Sequence, residues 1–119
     1  MDASRLTEWV GVFQMTLQPD GQGGYIESIP TGLQAPIPAE VIAESAADVF
    51  QADHISSRVR FRVTMRYDPN VTTADRIYWP AGGLTIGQQV LDIIAEPINV
   101  DGEYKWLRMR CERKEQGKQ

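Results

Sequence analysis

The sequence predicts a mainly β fold, a small antiparallel β-barrel or sandwich with one short helix and a long loop. Three observations predict it. Turn signals recur along the whole chain. Short runs rich in Val, Ile, Phe, Tyr and Trp lie between them, and residues 58–67 alternate strictly between two faces. Frequent turns between short β-prone runs describe an antiparallel sheet with short connections. The chain has 119 residues, about the size of one domain with one core. A single domain over residues 1–119 is expected, with flexible ends at 1–6 and 113–119. At 42% hydrophobic and 24% charged residues, the composition is that of a globular chain rather than a disordered or fibrous one.

Strands are expected first at residues 7–17 and 25–29, separated by the turn signal Pro19-Asp20-Gly21-Gln22-Gly23-Gly24. Pro30-Thr31-Gly32, Pro36 and Pro38 then mark an irregular stretch. Residues 37–44 read as a strand leading into an Ala-, Glu- and Asp-rich segment. Within that segment residues 45–52 form the short helix, with Ser45 as N-cap. The clearest strand is 58–67. Val59, Phe61, Val63, Met65 and Tyr67 take one face, and Arg58, Arg60, Arg62, Thr64 and Arg66 take the other. Further strands fall at 77–79 and 89–98, where Pro97 argues for an edge position or a bulge. Asp101-Gly102 favours a type I′ hairpin turn from a strand ending near Val100 to one starting near Tyr104. In the last strand Leu107, Met109 and Cys111 point inward, Arg108, Arg110 and Glu112 outward. Trp9, Trp79 and Trp106, with Tyr25, Tyr67, Tyr78 and Tyr104, read mostly as core. Trp106 is the exception, being out of phase with Leu107 and therefore on the outer face.

The net charge of −4 conceals a polarity. Residues 1–57 hold one base, Arg5, against eight acids, a balance of −7. Residues 58–119 hold eleven bases against eight acids, a balance of +3. Such asymmetry bears on partners rather than fold. The lone Cys111 has no second cysteine to pair with, so nothing points to an oxidising compartment. The start, Met1-Asp2-Ala3-Ser4-Arg5, lacks the layout of a signal peptide, and no apolar run approaches the ~20 residues that span a bilayer. A protein made inside the cell, without a membrane partner, is expected.

No sequence signature for catalysis, a metal or a cofactor stands out. His54 beside Asp53 is the one arrangement that offers a general base, and a surface histidine is its simpler reading. Cys111 reads as a small buried thiol. Gly21-Gln22-Gly23-Gly24 is a hairpin loop rather than a phosphate cradle, because no Lys-Ser/Thr follows it. The arginine face of residues 58–67 is the strongest polar feature. Three readings stay open for it: solvated or paired within the chain, meeting an acidic surface of another copy, or meeting nucleic acid phosphates. The sequence pI of about 4.9 weighs against the last.

The ordered motifs resemble those of phage head–tail joining, or head-closure, proteins. Asp48-Val49-Phe50-Gln51-Ala52-Asp53 is similar to an acid-x-x-x-Ala element, and a polar/apolar strand ending in Arg66-Tyr67 follows it. Asp75-Arg76-Ile77, Leu91-Asp92-Ile93 and Leu107-Arg108-Met109-Arg110-Cys111 complete the series. Asp48 stands where the family has Glu, and Leu91 where it has an aromatic residue.

The resemblance implies a structural, non-enzymatic protein of the virion neck, assembled in the host bacterial cytoplasm. It implies a homo-oligomeric, dodecameric ring that joins head to tail and closes the DNA exit after packaging, a stopper. Portal and adaptor proteins would lie above it and tail completion or tail proteins below, with genomic DNA passing without sequence-specific contact. Other readings are a different neck protein such as a tail terminator, or a small β-barrel that binds nucleic acid or peptide. Candidate residues follow. Arg58, Arg60, Arg62, Arg66, Arg108 and Arg110 are candidates for the subunit interface. Asp48, Gln51, Asp53 and His54 are candidates for a channel loop, and Asp2, Arg5, Arg113 and Lys114 for contacts with adjacent rings.

Overall fold

The fold comes from a computed structural model. It describes residues 3–44 and 58–114, with Arg58 and Lys114 described by their backbones alone. The short helix expected at 45–52 lies outside the described residues.

Nine strands follow in chain order. They are β1 (Glu8–Phe13), β2 (Thr16–Pro19), β3 (Tyr25–Ser28), β4 (Ile37–Ala43), β5 (Arg58–Arg66), β6 (Arg76–Tyr78), β7 (Val90–Ile93), β8 (Ile98–Asn99) and β9 (Trp106–Lys114). A four-residue helix, α1 (Ile86–Gln89), precedes β7, and the Thr85 side chain accepts from Gln88 N at its start. Six strands neighbour one another as β5-β4-β1-β6-β7-β9, and β9 returns to pair with β5. The sheet is therefore a closed antiparallel barrel, and closure removes the edges that an open sheet would expose. Strands β2 and β3 form a separate hairpin.

The alternating pattern places the core. Val63, Met65, Leu107, Met109 and Cys111 from the two longest strands are at most 4% exposed. They meet Val10, Ala39, Ile77, Leu91 and Ile93 inside the barrel, and Val71 tucks in from the loop before β6. Each Val, Leu, Ile or Met side chain among them taken fully from water contributes roughly 1.5–3 kcal/mol before packing is counted. Trp79 and Phe61 meet edge-on at 5.3 Å near one end. Arg113 has the inward phase of β9. It lies over the Phe61 ring at 5.4 Å and donates to the Gly82 carbonyl.

Three strand boundaries differ from expectation. The run 7–17 is broken at Gln14 and Met15, where the chain leaves the barrel for the β2–β3 hairpin. Gln14 Nε2 donates to Asp75 Oδ1 at 3.0 Å there, and Asp75 Oδ2 accepts from Thr72 N at 2.9 Å. The buried Asp75 carboxylate thus ties the break in β1–β2 to the loop ahead of β6.

The run 89–98 ends at Ile93, and β8 resumes on the same edge of β9. Ile93 stands opposite Cys111, and Ile98 opposite Arg108. Residues 94–97 therefore oppose only residues 109–110, the bulge that Pro97 announces. Third, the ladder from Asn99 resumes at Leu107, so the hairpin does not close next to its turn. Asp101 and Gly102 do adopt the left-handed turn, at φ 56° and 64°, and Glu103 N donates to Val100 O. Tyr104 is also left-handed, at φ 61°, and its N–H is taken by Asn99 Oδ1 at 2.9 Å.

The expectation that most aromatic residues are core also needs correction. Trp9, Tyr25 and Tyr104 are 57%, 70% and 68% exposed. Tyr104 packs edge-on against Tyr67 at 5.2 Å without being buried by it. Gly11 is required by close approach, since a Cβ there would run into the carbonyl oxygen of Gln34. The irregular stretch before β4 crosses β1 at that point.

Candidate functional site

The arginines of the two alternating strands share the outside of β5 and β9, which pair along their whole lengths. Because residues directly opposite share a face, the register reads as a column of pairs. Arg58 faces Lys114, Arg60 faces Glu112, Arg62 faces Arg110, Thr64 faces Arg108 and Arg66 faces Trp106. The row of Arg62 and Arg110 places like charges opposite each other.

The chain answers part of this repulsion itself. Arg110 is held side-on by Glu44, with Nε–Oε1 at 3.0 Å and Nη2–Oε2 at 3.1 Å. Such a fork is the strongest arrangement available to an arginine. Arg60 lies 3.6 Å from Glu112, whose side chain is 9% exposed. Glu112 in turn stands opposite Asp92, and Asp92 is paired with Arg76 at 2.8 Å. A belt Arg60–Glu112–Asp92–Arg76 therefore crosses four strands with each acid held by its own base.

Three arginines are left over. Arg62 and Arg66 are exposed and Arg108 is half-exposed. None of the three has a carboxylate partner among the described residues. Arg66 lies over the Trp106 ring at 5.2 Å, and Arg108 Nε donates to Thr64 Oγ1 at 3.5 Å. Trp106 has the outward phase expected of it, yet is only 8% exposed. Thr64, also of outward phase, is fully buried. The long arginines lie along the sheet and cover both.

The other candidates are placed as follows. Arg5 turns back onto β4 and pairs with Glu40 at 3.0 Å. Arg113 is turned into its own barrel end. Asp2, Asp48, Gln51, Asp53 and His54 lie outside the described residues, as do the side chains of Arg58 and Lys114. The structure thus brings Arg60, Arg62, Arg66, Arg108 and Arg110 together on one face. Glu44 and Glu112, which hold two of them, are not singled out by the sequence pattern. They become visible only through strand order and register.

Cys111 is fully buried on the inner face of β9. Burial, aided by the nearby Asp92 charge, pushes its thiol up to about 12. A thiol reagent at pH 8 is expected to label it only at the rate of unfolding, read as reagent consumption with and without denaturant. Prompt stoichiometric labelling of the folded chain would contradict this placement.

Among the described residues no three His, Cys, Asp or Glu side chains gather to hold a metal ion, and no helix is long and apolar enough to cross a membrane. A closed barrel with a packed interior and its charge arranged outside defines a small β-barrel whose polar chemistry lies on its surface. The particular kind is given by a family profile described as phage head completion protein, which matches residues 1–115. The chain belongs to that family. Its role is structural, in completing the phage head, and it acts with other head and tail proteins in the head–tail region of the virion. No curated protein matches the chain. Among solved structures it is similar to the solution structure of a protein from Shigella flexneri 2a, at 20% identity and a TM-score of 0.60. The likeness covers 99% of this chain and 100% of that one, and at that identity it concerns the fold alone.

The family motifs acquire physical roles. Asp75 ties two loops together, Arg76 holds Asp92, and Ile77, Leu91 and Cys111 are core.

Proposed function

We propose that the chain is a single-domain, non-enzymatic stopper. It forms a homo-oligomeric ring, a dodecamer, below the portal and adaptor, closes the DNA exit after packaging and presents a docking face to tail proteins. It would assemble in the host cytoplasm, and DNA would pass without sequence-specific contact. The observation that carries the reading is the β5–β9 face. Its Arg62, Arg66 and Arg108 have no carboxylate partner among the described residues. In a ring each subunit offers one side to the opposite side of its neighbour. A basic side of this kind suits such a contact and discourages wrong pairing.

The test is electron microscopy of the purified protein mixed with portal–adaptor complexes. A further ring of density below the adaptor is expected, with twelve repeats around the axis. Complexes unchanged by saturating protein would overturn the reading.

A further inference from the structure

We propose that the β2–β3 hairpin of one copy docks on the β5–β9 arginine face of the next copy. The proposal rests on the ring reading for the number of copies, but the contact itself stands on the observations that follow.

The hairpin pairs Leu17 with Glu27 and Pro19 with Tyr25, so these four share one face. Leu17 is 66% exposed and Tyr25 70%. The other face carries Thr16, Gln18, Ile26 and Ser28, with the Thr16 and Ser28 hydroxyls 2.9 Å apart. One face is thus apolar with a single carboxylate, and Glu27 has no ion pair among the described residues. A lone two-stranded hairpin is marginal in water and needs a surface to pack on.

The hairpin is nevertheless shaped in advance. Asp20 Oδ1 accepts from Gln22 N at 2.7 Å and Gly24 N at 3.0 Å. Gly21 and Gly23 supply φ of 82° and 88°. These backbone bonds hold the Asp20 carboxyl below its usual range. The anchoring is complete above about pH 4 and is lost as pH falls through the lowered value.

The receiving face has the matching character. Arg62, Arg66 and Arg108 supply positive charge with no carboxylate partner among the described residues. Ile98, opposite Arg108 on the neighbouring strand, is 60% exposed and supplies apolar surface. Glu27 answers the arginines, and Leu17 and Tyr25 answer Ile98. The topology sets the two surfaces apart. Strand β1, which leads into the hairpin, lies three strands from β9 in either direction round the six-strand barrel. It lies two strands from β5, so it borders neither strand of the arginine face. A contact between hairpin and arginine face of successive copies joins two different surfaces and is head-to-tail.

Two exposed positions test this. Glu27→Cys and Arg62→Cys chains, mixed in equal amounts and treated with a short bis-maleimide, are expected to give a crosslinked pair that neither gives alone. Cys111 serves as the buried, silent thiol that reports an intact fold. Glu27→Arg added to a Pro19→Cys chain, whose cysteine lies on the docking face, should lower the yield against Arg62→Cys on the order of tenfold relative to Pro19→Cys alone. A reciprocal charge swap, Glu27→Arg in one copy against Arg62→Glu in the other, should restore association by sedimentation. Absence of the crosslink in concentrated protein and on portal–adaptor complexes alike overturns the proposal, as does capture of Glu27→Cys by a different neck protein instead. Ring density without the crosslink overturns this contact and leaves the proposed function standing. The crosslink without ring density upholds the contact and overturns the stopper.

Discussion

Arg62→Glu is expected to leave the monomer folded and to abolish addition of the ring to portal–adaptor complexes. The two halves of this result have one physical source. Arg62 stands directly opposite Arg110 and has no carboxylate partner among the described residues. Within the chain the replacement removes a like-charge pair and creates an opposite-charge one. Cross-strand pairs contribute roughly 0.2–1 kcal/mol, and solvent screening keeps this one at the low end. Denaturant midpoints should therefore stay equal to the parent's or rise slightly. Between copies, the same change puts a carboxylate where an acidic partner is to dock, and like charges brought together at an interface are strongly disfavoured. Arg60→Glu is the informative contrast. Arg60 sits against the half-buried belt of Glu112 and Asp92, so reversal there adds a third acid and should lower stability itself. Normal rings from the folded Arg62→Glu chain, seen by electron microscopy, would remove the arginine face from the interface.

Met109→Ala should cost about 2–5 kcal/mol, the range for cutting a large buried side chain to alanine. Met109 is 1% exposed, and it lies on the strand that closes the barrel. Strand β9 pairs with β5 along its length and with β7 and β8 on its other edge. The cavity left behind borders side chains from several strands that cannot all collapse onto it. Against a total stability of about 5–15 kcal/mol for a domain, that loss is a large fraction. Urea unfolding should show a much lower midpoint with an unchanged slope. A stability within about 0.5 kcal/mol of the parent's would mean that the interior is looser than the close packing of Val63, Leu91 and Met109 requires.

Much of the fold is legible in the residues because the signals are local. Strict alternation at Val59 to Tyr67 and at Leu107 to Cys111 assigns inner and outer faces without knowledge of any partner strand, and those inner residues form the core. Pro97 announces an interruption, since proline lacks the N–H that a ladder needs. Asp101-Gly102 announces a left-handed turn. Where the expectation failed, a distant contact decided. The β1–β2 break depends on Asp75, sixty-one residues from Gln14. Trp106 takes the outer face expected of it, and its low exposure there depends on Arg66 laid across its ring.

The candidate site divides in the same way. That Arg60, Arg62, Arg66, Arg108 and Arg110 face outward is written in the period of two. Which of them are already answered is not, because Glu44 and Glu112 come into reach only through the antiparallel register of β4, β5 and β9.

By itself the sequence determined a mainly β chain, the composition of its core, an acidic first half and a basic second half, and a resemblance to phage head-closure proteins. These follow from residue chemistry and short-range periodicity. The tertiary structure alone decided that the sheet closes into a barrel, and that the acidic and basic halves meet inside the chain through Glu44 and Arg110. It also decided that Arg62, Arg66 and Arg108 stay without a carboxylate among the described residues, on two strands that do not border the one leading into the hairpin. Strand order is a long-range property, set by which apolar faces can be buried together at once, and no local pattern encodes it.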